Sequence, residues 1–255
     1  MTHPIPLRIS FEGRRLSITD EQSGAIGFAR LGGSVEVHEN LIRTDSFETI
    51  NGAATTAAAG SVGDRSCALI SPDGTLRWEW RLEMIDGACH LTARLVNTGD
   101  RAIEIGAWNV LHADPEFGSS IKLPGTADTL RFFGWHPWNT RVERIDSDNG
   151  VHESNNLCHL SDPVSNTTAL LGFVTLDRML CRHTVTYRSE TGVAEYRAEC
   201  SLSGFRLDPG ATVASETLLV SGFSDPYAAL ESWADEVRTR YRPEFADLPP
   251  VGWTG

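Results

Sequence analysis

No block of lysine or arginine occurs anywhere in the 255 residues, and the formal net charge is -12. A surface that tracks phosphates needs clustered positive charge, so the composition argues against nucleic acid and anionic membrane as partners and favours a neutral or cationic ligand. No run of apolar residues approaches the length needed to span a bilayer. The start, Met1-Thr2-His3-Pro4-Ile5-Pro6-Leu7-Arg8, lacks a charged head followed by an apolar stretch, so no secretory leader is expected. The five cysteines, Cys67, Cys89, Cys158, Cys181 and Cys200, are odd in number, widely spaced and free of C-x-x-C pairs. That speaks against a disulfide framework and a zinc site, and makes a reducing cytoplasm the simplest setting.

The common catalytic signatures are missing as well. There is no Gly-x-Ser-x-Gly elbow, phosphate loop or dinucleotide fingerprint, which removes the usual serine hydrolase, kinase and dehydrogenase readings and leaves no cofactor to expect. His90, His112, His136, His152, His159 and His183 show neither an i, i+4 helical pair nor an H-x-H strand pair, so no metal centre is expected.

What is present is strand after strand. Alternation in Leu16-Ser17-Ile18 and in Ser34-Val35-Glu36-Val37-His38, punctuated by glycines, predicts short strands and no helix over residues 7–50. Residues 51–64 are small and polar and predict a long loop, a class of segment that is functional or mobile in compact domains. From Arg65 the pattern strengthens. Leu76-Arg77-Trp78-Glu79-Trp80-Arg81-Leu82-Glu83-Met84 alternates apolar with charged residues, as a half-buried antiparallel strand does, and Asp86-Gly87 predicts a hairpin into His90–Val96. Trp78 and Trp80 share one face of that strand, which favours core packing or a domain interface for both. A dozen or more short strands at regular spacing predict an all-β fold of two packed antiparallel sheets, and one large domain is the default at this length.

The densest feature is Leu130-Arg131-Phe132-Phe133-Gly134-Trp135-His136-Pro137-Trp138. Aromatic side chains packed this closely either close a core or present flat apolar faces to a ligand such as the C–H face of a sugar ring. Gly134 and Pro137 predict that Trp135 and Trp138 leave the strand carrying the Phe pair and sit on a loop, where binding residues concentrate. His136 lies between them, equally suited to ligand contact and to a satisfied position at a loop edge. Residues 141–160, rich in Asp, Asn and Ser, predict a second long loop beside the Trp pair, and Val213 to Gly222 a last strand.

The periodicity changes once. Asp225 can cap, Pro226 suits a first helical position, and Tyr227, Leu230, Trp233, Ala234, Val237 and Tyr241 recur at helical spacing, which predicts one helix over 226–241. Pro249-Pro250-Val251-Gly252-Trp253 then reads as the entry to a further domain. Asp114 and Glu116 are the closest carboxylate pair on a turn, but a solvated loop explains them better than acid/base work on a glycosidic bond.

Four places carry a resemblance to the amino-terminal part of glycoside hydrolase family 36, the α-galactosidases and their relatives. Gly134-Trp135-His136-Pro137-Trp138 resembles the family's Gly-Trp-Gln-Ser-Trp, with the intervening pair replaced. Gly63-Asp64-Arg65 is similar to a Gly-x-Asp-Phe-Arg segment, without the Phe. Asp225–Glu231 resembles the linker helix after the family's sandwich, and Pro249–Trp253 the first strand of its (β/α)₈ barrel.

The resemblance implies a β-supersandwich over 1–223, a linker helix and connection over 224–248, and the start of a catalytic barrel at 249–255. It implies no hydrolase activity for this chain alone, because the family's catalytic aspartates lie on the barrel. Trp135, Trp138, His136, Asp64 and Arg65 are then the candidate contacts to a galactoside-like carbohydrate, with a barrel in the same chain or a neighbouring subunit as partner and a homo-oligomer compatible with either. Two alternatives stay open, a stand-alone carbohydrate-binding module and an aldose 1-epimerase-like enzyme. For the latter His112 near Phe117 is a weak echo, with no second His or Glu at a persuasive position.

Overall fold

A computed structural model describes residues 4–21, 26–50, 65–123, 125, 129–136, 139–145, 150–188 and 192–242. The strands in chain order are β1 (Leu7–Glu12), β2 (Arg15–Asp20), β3 (Gly27–Val37), β4 (Asn40–Arg43), β5 (Glu48–Thr49), β6 (Arg65–Ile70), β7 (Leu76–Ile85), β8 (Ala88–Asn97), β9 (Ile103–Ala113) and β10 (Ser120–Lys122). They continue with β11 (Arg131–His136), β12 (Asn139–Arg144), β13 (Val151–Asn155), β14 (Leu157–Asp162), β15 (Thr167–Phe173), β16 (Leu180–Arg188), β17 (Gly192–Leu207), β18 (Thr212–Ala214) and β19 (Leu218–Phe223), and one helix, α1 (Pro226–Tyr241), follows.

These strands form two antiparallel sheets, one of nine and one of ten. The nine-stranded sheet runs β1-β2-β3-β9-β17-β16-β13, with β4 and β10 also on β3; the ten-stranded sheet runs β12-β11-β14-β15-β19-β8-β7-β6-β5, with β18 on β8. The expected all-β double sheet with a single C-terminal helix is what the structure shows among the described residues.

Period-two alternation explains the packing. On β7, Leu76, Trp78, Trp80 and Leu82 are buried while Arg77, Glu79, Arg81 and Glu83 face outward. Trp78 meets Trp80 edge-on at 5.5 Å and Trp108 of β9 at 5.7 Å, so the contact crosses from one sheet to the other. Such pairs add about 0.5–1.5 kcal/mol to the burial of the rings. The Trp80 indole N–H donates to the Val110 carbonyl at 3.0 Å, which satisfies its polar atom inside the core.

Helix α1 begins where expected. The Asp225 carboxylate accepts from the Tyr227 N–H at 2.9 Å, Pro226 takes the first turn, and Arg242, left-handed at φ 41°, closes the other end. The helix docks on the ten-stranded sheet through Trp233, whose indole N–H donates to the Phe173 carbonyl at 3.0 Å. A Cβ on Gly172 would stand 2.5 Å from that indole, so the glycine is what lets the helix come this close.

Three local expectations are corrected. Trp135 does not leave the strand: β11 extends through His136, with Trp135 opposite Thr140. Gly134 stays paired with Arg141 and Cys158, and its missing Cβ leaves room for the Phe132 ring and the Glu153 carbonyl rather than for a turn. The polar stretch 141–160 is largely strand, because its buried polar side chains find partners; Ser154 accepts from the Trp135 N–H at 2.7 Å, and His152 Nδ1 lies 2.9 Å from Glu143. The last strand is two strands, β18 and β19, parted at Ser215–Thr217. There the buried Glu216 carboxylate accepts from the N–H groups of Asp177, Arg178 and Met179 at 3.1, 2.8 and 3.2 Å. The expected loop 51–64 and the expected barrel start at 249–255 lie outside the described residues.

Candidate functional site

The indole of Trp135 projects from the ten-stranded sheet on the face that α1 covers. Phe132 points into the core, Phe133 packs with the cluster under α1, and Trp135, two residues on, shares the side of Phe133. It is 39% exposed, so it is not sealed between the sheets. Its backbone N–H is fixed by Ser154 on β13, at the place where the edges of the two sheets meet. A half-exposed indole on a strand anchored from both sides offers a flat, rigid apolar face.

The remaining candidates do not gather round it. Arg65 is buried on β6, and its guanidinium donates to the Ile9 carbonyl on β1, tying one sheet to the other. Six strand positions separate β6 from β11, about 29 Å at ordinary strand spacing. Arg65 therefore lies far along the sheet from the Trp135 indole, at a contact between the sheets. Trp138 and Asp64 lie outside the described residues, and of His136 only the backbone is described, paired with Asn139.

The structure assembles a second polar group that sequence spacing did not reveal. On the outward face of the nine-stranded sheet, His112 of β9 is 4% exposed, with Nδ1 3.2 Å from the Ser34 hydroxyl of β3 and Nε2 3.0 Å from Glu195 of β17. Asn109 Nδ2 donates to the same hydroxyl at 2.9 Å, so with a neutral ring the Ser34 proton points to Nδ1 and the imidazole carries its own proton on Nε2, facing Glu195. Arg197 donates to Glu195 at 2.8 Å. The hydrogen bond from His112 comes first, and the Arg197 bond and charge add to it; against a desolvation penalty they bring the Glu195 carboxyl down to about 2. Glu195 was invisible in the sequence because 83 residues separate it from His112. Only the pairing of β9 with β17 brings them together.

Asp114 belongs to the same group. It caps a short 3₁₀ turn by accepting from the Glu116 N–H, and it pairs with Arg43 at 3.1 Å, which accounts for the Asp114/Glu116 pair without catalysis. His112, Asp114 and Glu195 bring one ligating atom each within 4.8 Å of one another, close enough for a metal ion. The Arg43 and Arg197 guanidiniums compete for the same carboxylates, however, so the donor set suits an ion poorly.

The thiols offer no nucleophile. All five cysteines are buried and unbridged, and burial pushes Cys67 up to about 11 and Cys89 up to about 12. Among the described residues no helix is long and apolar enough to cross a membrane.

By sequence, no family model and no curated protein matches the chain. Solved structures do match by shape. An α-galactosidase from Lactobacillus brevis aligns with TM-score 0.52 and 11% identity over 87% of this chain and 32% of its own. A GH36 α-galactosidase from Geobacillus stearothermophilus, in complex with raffinose, aligns with TM-score 0.51 and 10% identity over 91% of this chain and 34% of its own. A putative aldose 1-epimerase from Klebsiella pneumoniae aligns at TM-score 0.42 and 11% identity over 84% of this chain and 62% of its own, too loosely to add to these. The chain thus spans about a third of the length of each α-galactosidase. At such identities the likeness shows the fold: an all-β sandwich that this chain shares with part of two α-galactosidases.

Proposed function

We propose that this chain is the non-catalytic sandwich part of an α-galactosidase-like glycoside hydrolase, supporting a catalytic barrel and lending an aromatic face to its sugar pocket. The observation that carries the reading is Trp135, a half-exposed indole held rigid on β11 by Ser154, within the segment that resembles the family's aromatic motif. The shared fold over most of the chain supports it. In this reading Trp135 stacks on an apolar sugar face, Trp138 and His136 complete the contact, and the bond-breaking carboxylates come from the barrel.

The test has two arms. The 255-residue chain should not hydrolyse p-nitrophenyl α-galactoside, and raffinose should change its tryptophan fluorescence saturably, a response that Trp135→Ala abolishes. Turnover by the chain alone, or a response that survives in Trp135→Ala, overturns the reading.

One observation favours an aldose 1-epimerase-like enzyme, namely the His112–Glu195 pair, since epimerisation needs an acid and a base. Its environment weighs the other way. Both ring nitrogens of His112 are engaged, and a carboxylate held near 2 is a weak base at neutral pH. Mutarotation of galactose that is lost in Glu195→Gln would reverse the ranking.

A further inference from the structure

The cleft between α1 and the outward face of the ten-stranded sheet has a volume of about 380 Å³, within the range of small-molecule sites. Four carboxylates line it, Asp86 from the β7–β8 turn and Glu231, Asp235 and Glu236 from α1, and no lysine or arginine does. Asp235 and Glu236 pair with Arg238 and Arg240 on their own helix. Asp86 and Glu231 have no ion-pair partner among the described residues.

The floor combines apolar surface from Leu219 and Phe223 with two buried polar side chains, His90 (5% exposed) and Ser221 (1% exposed). Neither His90 Nδ1 nor the Ser221 hydroxyl makes a hydrogen bond among the described residues, while His90 Nε2 faces Glu236 at 3.4 Å. Buried polar groups are normally satisfied, so two of them lining one cleft mark a place completed by something else.

We propose that this cleft binds a small organic dication, a short aliphatic chain with a primary ammonium at each end, the ammonium groups among the separated carboxylates and the chain against Leu219 and Phe223. The cleft offers mainly acceptors, and an ammonium offers three donors and no acceptor. Burial, the largest influence, together with the charge of Arg240, which is itself paired with Glu236, holds His90 below the ordinary imidazole range despite the attraction of Glu236 and Glu83, so its neutral ring presents one acceptor nitrogen. A metal ion fits less well. Among the described residues the three-ligand group that converges within 4.8 Å is His112, Asp114 and Glu195, so the cleft's carboxylates stand too far apart to close on one ion and suit an extended cation instead. The proposal is independent of the glycoside hydrolase reading, because Trp135 does not line this cleft.

The test is calorimetric titration of the 255-residue chain with 1,4-diaminobutane, using 1,4-butanediol as its uncharged counterpart and D-galactose as a neutral polyol. The diamine should bind saturably and the two neutral compounds should not. The double variant Asp86→Asn with Glu231→Gln, both at exposed positions, should bind about tenfold more weakly, the ratio expected for losing two half-solvated charge contacts. Ser232→Lys, which places a cation inside the cleft, should abolish binding while leaving the circular dichroism unchanged. Absence of saturable diamine binding, equal binding of the diol or of galactose, or undiminished binding by Ser232→Lys would each overturn the proposal.

Discussion

The outward faces of the two sheets both carry buried histidines and carboxylates, but they dispose of them differently. On the nine-stranded sheet, Asn109, Ser34, His112, Glu195 and Arg197 form one chain of hydrogen bonds, and Arg43 with Asp114 and Asp45 extends it as ion pairs. On the ten-stranded sheet, the Ser221 hydroxyl and His90 Nδ1 lie under α1 without hydrogen-bond partners among the described residues, and Trp135 stands half exposed on the same face, three strands away from Ser221 on β11. Apart from Asn109 Oδ1, which is buried without a hydrogen-bond partner among the described residues, the group on the nine-stranded sheet is satisfied from within, and any ligand must first break bonds already made. A face with unmet hydrogen-bonding capacity and exposed aromatic surface is where binding gains the most. This contrast puts the proposed ligand contacts on the ten-stranded sheet, although the nine-stranded sheet holds the arrangement that looks more catalytic.

Substitutions should separate the two kinds of polar group. The largest effect is expected at Glu216, a satisfied group on the ten-stranded side. Glu216→Ala leaves three N–H donors of residues 177–179 without their acceptor and should lower the unfolding free energy by about 3–5 kcal/mol, read from urea denaturation. His112→Leu comes next, at about 2–4 kcal/mol, because the Ser34 hydroxyl and the Glu195 carboxylate both lose a partner.

Glu195→Gln should change the pH dependence more than the neutral-pH stability. The folded carboxyl titrates near 2, below its ordinary 4.5, mainly through the His112 hydrogen bond. Its stabilisation is therefore complete above 4.5 and disappears as the pH falls towards 2. Urea midpoints taken between pH 5 and 3 should fall less steeply in the variant than in the parent protein.

The smallest effects belong to the unsatisfied face. Ser221→Ala removes a buried hydroxyl that bonds nothing, so without ligand it should shift stability by no more than about 0.5 kcal/mol and in the stabilising direction. A loss above 1 kcal/mol would show that the hydroxyl is satisfied after all and would erase the contrast. Trp135→Ala should likewise cost less than about 1 kcal/mol, well under the 3–5 kcal/mol of a core tryptophan such as Trp108.

The strand pattern was legible wherever one face is apolar and the other charged. Leu76–Met84 reads as a half-buried strand because alternation is the direct signature of a pleat with one wet side. α1 was legible to its first residue because Asp225 and Pro226 signal a start through their own chemistry, independent of the rest of the chain. Residues 141–160 were misread because composition stood in for periodicity. His152 and Ser154 look like loop residues, yet they turn inward and bond to Glu143, Trp135 and Leu157. Gly134 was misread for a related reason, since a glycine that permits a turn and one that permits close approach look the same in sequence.

By itself, the sequence determined an all-β chain with one terminal helix, a shared buried face for Trp78 and Trp80, and an aromatic segment around Trp135, because these follow from local periodicity and the intrinsic chemistry of neighbouring residues; that the two Trp lie in the core and not at a domain interface was decided by the structure. Only the tertiary structure decided that Arg65 ties the sheets together, that His112 meets Glu195, and that α1 closes an acidic cleft over His90 and Ser221. Each of those is a contact between strands or elements distant along the chain. Sheet order and register bring them together, and neither is written in the spacing of any single segment.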